Sequence, residues 1–86
     1  MNRRRLLRRI QSGAYANIRF SDFEDLILSL GYRLERVRGD HFIYRHARVV
    51  EKLNIQPDRG QMKLYQVGDL ARYIRMYNLR LEDDRA

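Results

Sequence analysis

The chain has 86 residues, 44% apolar and 34% charged, and 18 basic against 11 acidic side chains leave a net charge of +7. That length supports one core, burying roughly 60–65% of the unfolded surface, which is enough to fold without staples. The absence of cysteine excludes disulfides and thiolate metal sites, and no apolar run approaches the ~20 residues of a bilayer span.

The basic N-terminus has no signal-peptide apolar region, because Arg8-Arg9 interrupts after Leu6-Leu7. A cytoplasmic, soluble protein without membrane association is expected. Nearly all the positive charge is arginine, whose planar fork suits bidentate contact with phosphate, so a polyanionic partner is expected. Plain solubility is the competing explanation.

In chain order, Arg3 to Gln11 reads as a short amphipathic helix, with Leu6, Leu7 and Ile10 at helical spacing among five arginines. Ser12-Gly13 ends it, and residues 14–20 read as a connection. Ser21-Asp22-Phe23-Glu24 has the form of a capping box, with Phe20 as its staple residue. Phe23, Leu26, Ile27 and Leu30 form the buried stripe of that second helix, and Gly31 suits a left-handed C-terminal position.

The period then becomes extended. Tyr32 to Arg38 and His41 to His46 flank Gly39-Asp40, a two-residue hairpin spacer. Alternation places Phe42, Tyr44 and His46 on one face, and His41, Ile43 and Arg45 on the other. A third strand is expected over Val49 to Gln56, a turn at Pro57-Asp58-Arg59-Gly60, and a loop over 61–66. A last helix is expected from about Gly68-Asp69, carrying Leu70, Tyr73, Ile74 and Tyr77, before a polar tail at Glu82-Asp83-Asp84-Arg85.

This order predicts an α+β fold, a three-stranded antiparallel sheet with helices packed on one face. The α-β-β-β-α part has the order of the double-stranded-RNA-binding domain, an analogy of topology. The expected division is a basic helix and connection over 1–19, the α-β-β-β-α domain over 20–79, and a tail over 80–86.

The inventory for catalysis is short: two histidines, three serines and no threonine. Ser21 is accounted for as a cap, and neither Ser12 nor Ser29 has nucleophile-elbow spacing. His41 and His46 are five residues apart, so one straight strand points them to opposite faces, and no metal or cofactor is expected. What remains is proton transfer by one histidine. RNA cleavage suits it, because the 2′-hydroxyl is a built-in nucleophile, imidazole titrates near neutral pH and arginine neutralises phosphate. His41 follows the turn, where Gly39 permits close approach or a positive φ. Arg36, Arg38 and Arg45 are near in sequence. On residues alone a single strand histidine is more often structural, which is the reading given to His46.

Tyr73, Tyr77 and Tyr44 read as core residues, leaving Tyr65 the freest to meet a ligand. Arg3, Arg4, Arg5, Arg8 and Arg9 form either a solvated face or a phosphate-contacting arm. Arg59 and Lys63 lie in the loop feeding the last helix, whose N-terminus is a further phosphate position.

The run Gly31-Tyr32 followed by Arg38-Gly39-Asp40-His41-Phe42-Ile43-Tyr44 resembles the glycine–serine–histidine signature of HicA toxins. The strand ending near Pro57 and Gly68-Asp69-Leu70 fit the same pattern, which spans about residues 20–79. The resemblance implies a metal-independent ribonuclease that cuts messenger RNA, arrests growth and is neutralised by a HicB-like antitoxin. It places the catalytic histidine at His41 and its glycine at Gly39. Asp40 departs from the usual serine; a carboxylate there would raise the pKa of a neighbouring imidazole and repel substrate phosphate. Where many members carry a second histidine after the strand-three proline, this chain has Asp58 and Arg59. A non-catalytic RNA-binding module on the same fold, and a domain docking an acidic protein, are the competing readings.

Overall fold

The computed structural model describes residues 1–84; Arg85 of the expected tail lies outside them. Helix α1 spans Arg3–Gln11, as its pattern requires, and buries Leu6 and Ile10. Its cap is Asn2, whose side chain accepts from the amides of Arg4 and Arg5. A side-chain oxygen there satisfies amides that have no partner within the helix.

Helix α2 spans Phe20–Ser29, and the expected capping box does not form: Arg19 is the N-cap, without a side-chain cap bond. Arg19 bridges to Gln61, and the Phe20 amide donates to the Gly60 carbonyl at 2.8 Å. This backbone pairing starts the helix ahead of Ser21. Glu24 instead accepts from the Tyr44 hydroxyl, tying α2 to the sheet. Burial, then that carboxylate, push the Tyr44 pKa up. At the other end Gly31, at φ +106°, supports two reverse bonds, Gly31 N–H to Leu28 C=O and Tyr32 N–H to Ile27 C=O.

Strands β1 (Arg33–Arg38), β2 (His41–Arg45) and β3 (Leu53–Ile55) form an antiparallel sheet in the order β1-β2-β3. The third strand is shorter than expected. Residues 46–52 are a connection, because His46 turns inward and Val49 packs into the core. Gly39 has φ +58° at the first position of the hairpin turn, where the space for a Cβ is open, so conformation is what asks for glycine.

Helix α3 spans Leu64–Tyr77, four residues earlier than expected. Gly68 therefore lies inside the helix, beside the Tyr15 ring, rather than opening it. The buried Gln66 and Val67 explain the early start: the first turn already contributes to the core.

Helices α2 and α3 cover one face of the sheet. Phe20 of α2 stacks on Phe42 at 4.9 Å, α3 contacts β3, and α1 packs against both helices. Phe23, Leu26, Ile27, Tyr44, Leu53, Ile55, Leu70 and Ile74 fill the core. Leu6 and Ile10 belong to the same core, as do Leu79 and Leu81 at the far end. The expected fraying of the tail is not seen through residue 84: Glu82–Asp84 form a 3-10 turn, and Arg4 binds Asp83 and Asp84. Two apolar anchors and an ion pair outweigh the polar composition there. No helix among the described residues is long and apolar enough to cross a membrane.

Candidate functional site

The other face of the sheet carries no helix among the described residues, and its side chains follow from strand register. Leu53 and Ile55 are buried, so Asn54 between them points outward. Asn54 pairs with Ile43, which pairs with Arg36, while His41 pairs with Arg38. Residues directly opposite in a ladder share a face. Arg36, Arg38, His41, Ile43 and Asn54 therefore meet on the open face, where with Gly39 they line a shallow depression of about 530 Å³.

A bulge in β1 sets this arrangement. The register shifts between Leu34 and Arg36, turning Leu34 towards the helix side opposite Tyr44 while Arg36 and Arg38 keep to the open face. Glu35, the extra residue, binds Lys52 at 2.7 Å and Arg45 at 2.9 Å. Those cations, Lys52 first, hold its pKa below the usual carboxylate value. Arg45 is thus engaged by Glu35, whereas Arg36 and Arg38 make no ion pair among the described residues.

His41 has different neighbours at its two ring nitrogens. Nδ1 lies 2.9 Å from Asn54 Oδ1, and Nε2 lies 3.8 Å from Asp40 Oδ1. Asp40 in turn accepts from the Gln56 amide at 2.8 Å, and Gln56 Oε1 accepts from Lys63 at 3.3 Å. The Gln56 bond and Asp40's own backbone amide lower the Asp40 pKa, with smaller contributions from His41 and Lys63. Asp40 is therefore a carboxylate at neutral pH. The His41 side chain is 42% exposed and reachable from solvent.

His46 has the opposite setting. It is 4% exposed, stacks edge-on against Tyr32 at 5.1 Å, and uses both ring nitrogens on the backbone. Nδ1 accepts from the Arg48 amide at 3.0 Å and Nε2 donates to the Leu30 carbonyl at 2.9 Å. An amide must donate and a carbonyl must accept, so this ring is neutral with hydrogen on Nε2.

The remaining expected residues fall outside the depression. Arg59 sits at 95% side-chain exposure in the turn after β3, with φ +53°, near Asp58. Lys63 reaches the site only through Gln56 and Asp40. Of the N-terminal arginines, Arg3 binds Asp25, Arg4 binds Asp83 and Asp84, and Arg9 donates to the Ala16 carbonyl. Arg5 and Arg8 remain exposed on α1. Tyr65 is 63% exposed on α3.

Asn54 and Gln56 join the site without having been singled out by the sequence. The signal was present as parity: if Leu53 and Ile55 face inward, 54 and 56 face the side of His41. Their distance from His41 depended on the β2–β3 register.

Chemically, the site offers one accessible imidazole with one nitrogen anchored, two unpaired guanidiniums beside it and a carboxylate at the rim. No group of three or more His, Asp or Glu among the described residues is placed to hold a metal ion. No protein family, curated protein or solved structure gives a match to this chain.

Proposed function

We propose that this chain is a metal-independent endoribonuclease of the HicA type, with His41 as its acid–base residue. The observation that carries the reading is the placement of His41: one ring nitrogen held by Asn54, the ring accessible, and Arg36 and Arg38 on the same open face. In this reading the α2-β1-β2-β3-α3 unit is a double-stranded-RNA-binding-like fold, and the sheet face receives RNA.

His41 takes the proton of a ribose 2′-hydroxyl as that oxygen forms its bond to phosphorus. The bond from phosphorus to the 5′-oxygen breaks, that oxygen takes a proton from solvent water, and His41 returns its proton to solvent. The products are a 2′,3′-cyclic phosphate and a 5′-hydroxyl end. Arg36 and Arg38 face the charge that grows on the phosphoryl oxygens, where fixed cations stabilise a transition state most. Messenger RNA is the proposed cellular substrate, growth arrest the consequence, and a HicB-like antitoxin the neutralising partner.

The test is incubation of purified chain with RNA in excess chelator, wild type beside His41→Ala. Cleavage by wild type with cyclic phosphate ends, lost in the variant, is the expected result. Equal cleavage by both proteins, or equal growth arrest on induced expression of both as folded proteins, overturns the role of His41.

Asp40 favours a second reading, a non-catalytic RNA-binding module. Its carboxylate stands 3.8 Å from His41 Nε2, where it opposes an incoming phosphate. Salt-sensitive RNA binding without cleavage by the wild-type chain is the outcome that selects this reading.

A further inference from the structure

We infer that Asn54 is a positioning residue that holds His41 as its Nδ1–H tautomer, leaving Nε2 as the atom that exchanges a proton with substrate. The inference deepens the reading of His41 as the acid–base group and rests on it for its catalytic meaning.

The geometry at the ring is unequal. Asn54 Oδ1 lies 2.9 Å from Nδ1, within hydrogen-bond range, whereas Asp40 lies 3.8 Å from Nε2, beyond it. An amide oxygen only accepts, so the nitrogen facing it carries the hydrogen in the neutral ring. The hydrogen bond made by one imidazole nitrogen sets the state of the other. Here it leaves the Nε2 lone pair open.

The amide is held on a rigid element. Asn54 sits between Leu53 and Ile55, which are 3% and 1% exposed, and its own carbonyl accepts from Gln66 Nε2 at 3.3 Å. Gln66 is itself buried on α3, so the helix layer fixes the strand that aims the amide. Asparagine is disfavoured in strands, and its exposed side chain adds nothing to the core, so strand stability does not account for it. A neutral acceptor also orients the ring without placing a full charge at Nδ1.

The primary test is long-range proton–nitrogen correlation NMR of the wild-type imidazoles at a pH where they are neutral. The expected result is Nδ1–H for His41, with the Nε2–H tautomer of His46 as an internal contrast. An Nε2–H tautomer for His41 in the wild type overturns the inference, and needs no variant that folds. Asn54→Ala should remove the preference. If the variant ring keeps the wild-type tautomer, the inference is overturned. In RNA cleavage, Asn54→Ala should lower kcat roughly 10–100-fold, the range found where an orienting partner is removed from a metal-ligating histidine, with little change in KM. Asn54→Asp should restore most of the rate, with the acidic limb of the pH profile moved upward because a carboxylate favours the protonated ring and the base acts only when neutral. Loss through KM alone, or no recovery with Asp, overturns the positioning role. The two failures are separable: a wild-type chain that cleaves no RNA defeats the ribonuclease reading, while the tautomer still decides what Asn54 does.

Discussion

His41 and His46 bracket strand β2 and meet opposite environments. His46 is closed in, with both nitrogens committed to the backbone of Leu30 and Arg48 and its ring against Tyr32. His41 is open, with one nitrogen anchored by a side chain and the other facing solvent near a carboxylate. The difference separates a ring that is committed to the fold from one that is open to solvent. The first has its donor and acceptor capacity spent inside the fold; the second keeps one nitrogen available.

Exchanging each ring for alanine should break the pair in opposite ways. His41→Ala should lower RNA cleavage by about 10²–10⁴-fold, the usual range for a general acid or base, with the thermal midpoint nearly unchanged. His46→Ala should cost about 2–4 kcal/mol in urea denaturation, because it opens a cavity and leaves a buried carbonyl and amide unpaired. A stable His46→Ala protein, or an unstable His41→Ala protein, would reverse the assignment.

A smaller effect is expected from Asp40→Ser, which removes the carboxylate at the open nitrogen. RNA affinity, followed by a titration at fixed low salt, should rise by up to about fivefold, the scale of an exposed charge pair. Unchanged affinity would show that the rim carboxylate does not meet phosphate.

Away from both histidines, Gly68→Ala tests the helix that braces β3. An added Cβ would meet the Tyr15 ring at 3.5 Å, an ordinary contact, and the backbone there is helical. A gain of about 0.5–1 kcal/mol in stability is expected from helix propensity. A loss would mean that the Tyr15 contact needs the glycine.

The smallest effect concerns pH. Glu35, held by Lys52 and Arg45, and Asp40, held by Gln56, have lowered pKa values. Groups with lowered folded pKa values add stability above their unfolded values, and that stability is lost as pH falls through the folded values. The thermal midpoint should therefore decline modestly below about pH 4.5, near the ordinary range of free carboxylates. The slope should be shallower in Glu35→Gln, and an equal slope in that variant would remove Glu35 from the account. The groups are exposed, so the decline stays small.

Much of the fold was legible from local pattern. Helix α1 has the predicted bounds, the stripe of α2 is buried as its spacing requires, and Gly31 and Gly39 take the positive φ that their positions called for. Boundaries failed where long-range pairing overrode local signals. The Arg19–Gln61 bridge displaced the capping box, and burial of Gln66 and Val67 drew α3 forward. In the site, His41, Arg36, Arg38 and Gly39 were visible from chain proximity across a two-residue turn. Arg45 was near in sequence too, yet its charge goes to Glu35 through a bulge that alternation alone does not reveal.

The sequence by itself determined the number of cores, the element order, the inward and outward parity of β2, and an inventory of two histidines with no cysteine or threonine. These are properties of composition and of short periods, which act within a few residues. Only the tertiary structure decided which arginines are free, what closes around His46, and that Asn54 reaches His41. Each depends on how strands register and helices dock, and such contacts join residues distant in the chain. Arg4, 80 residues from Asp84, is bound to it in space.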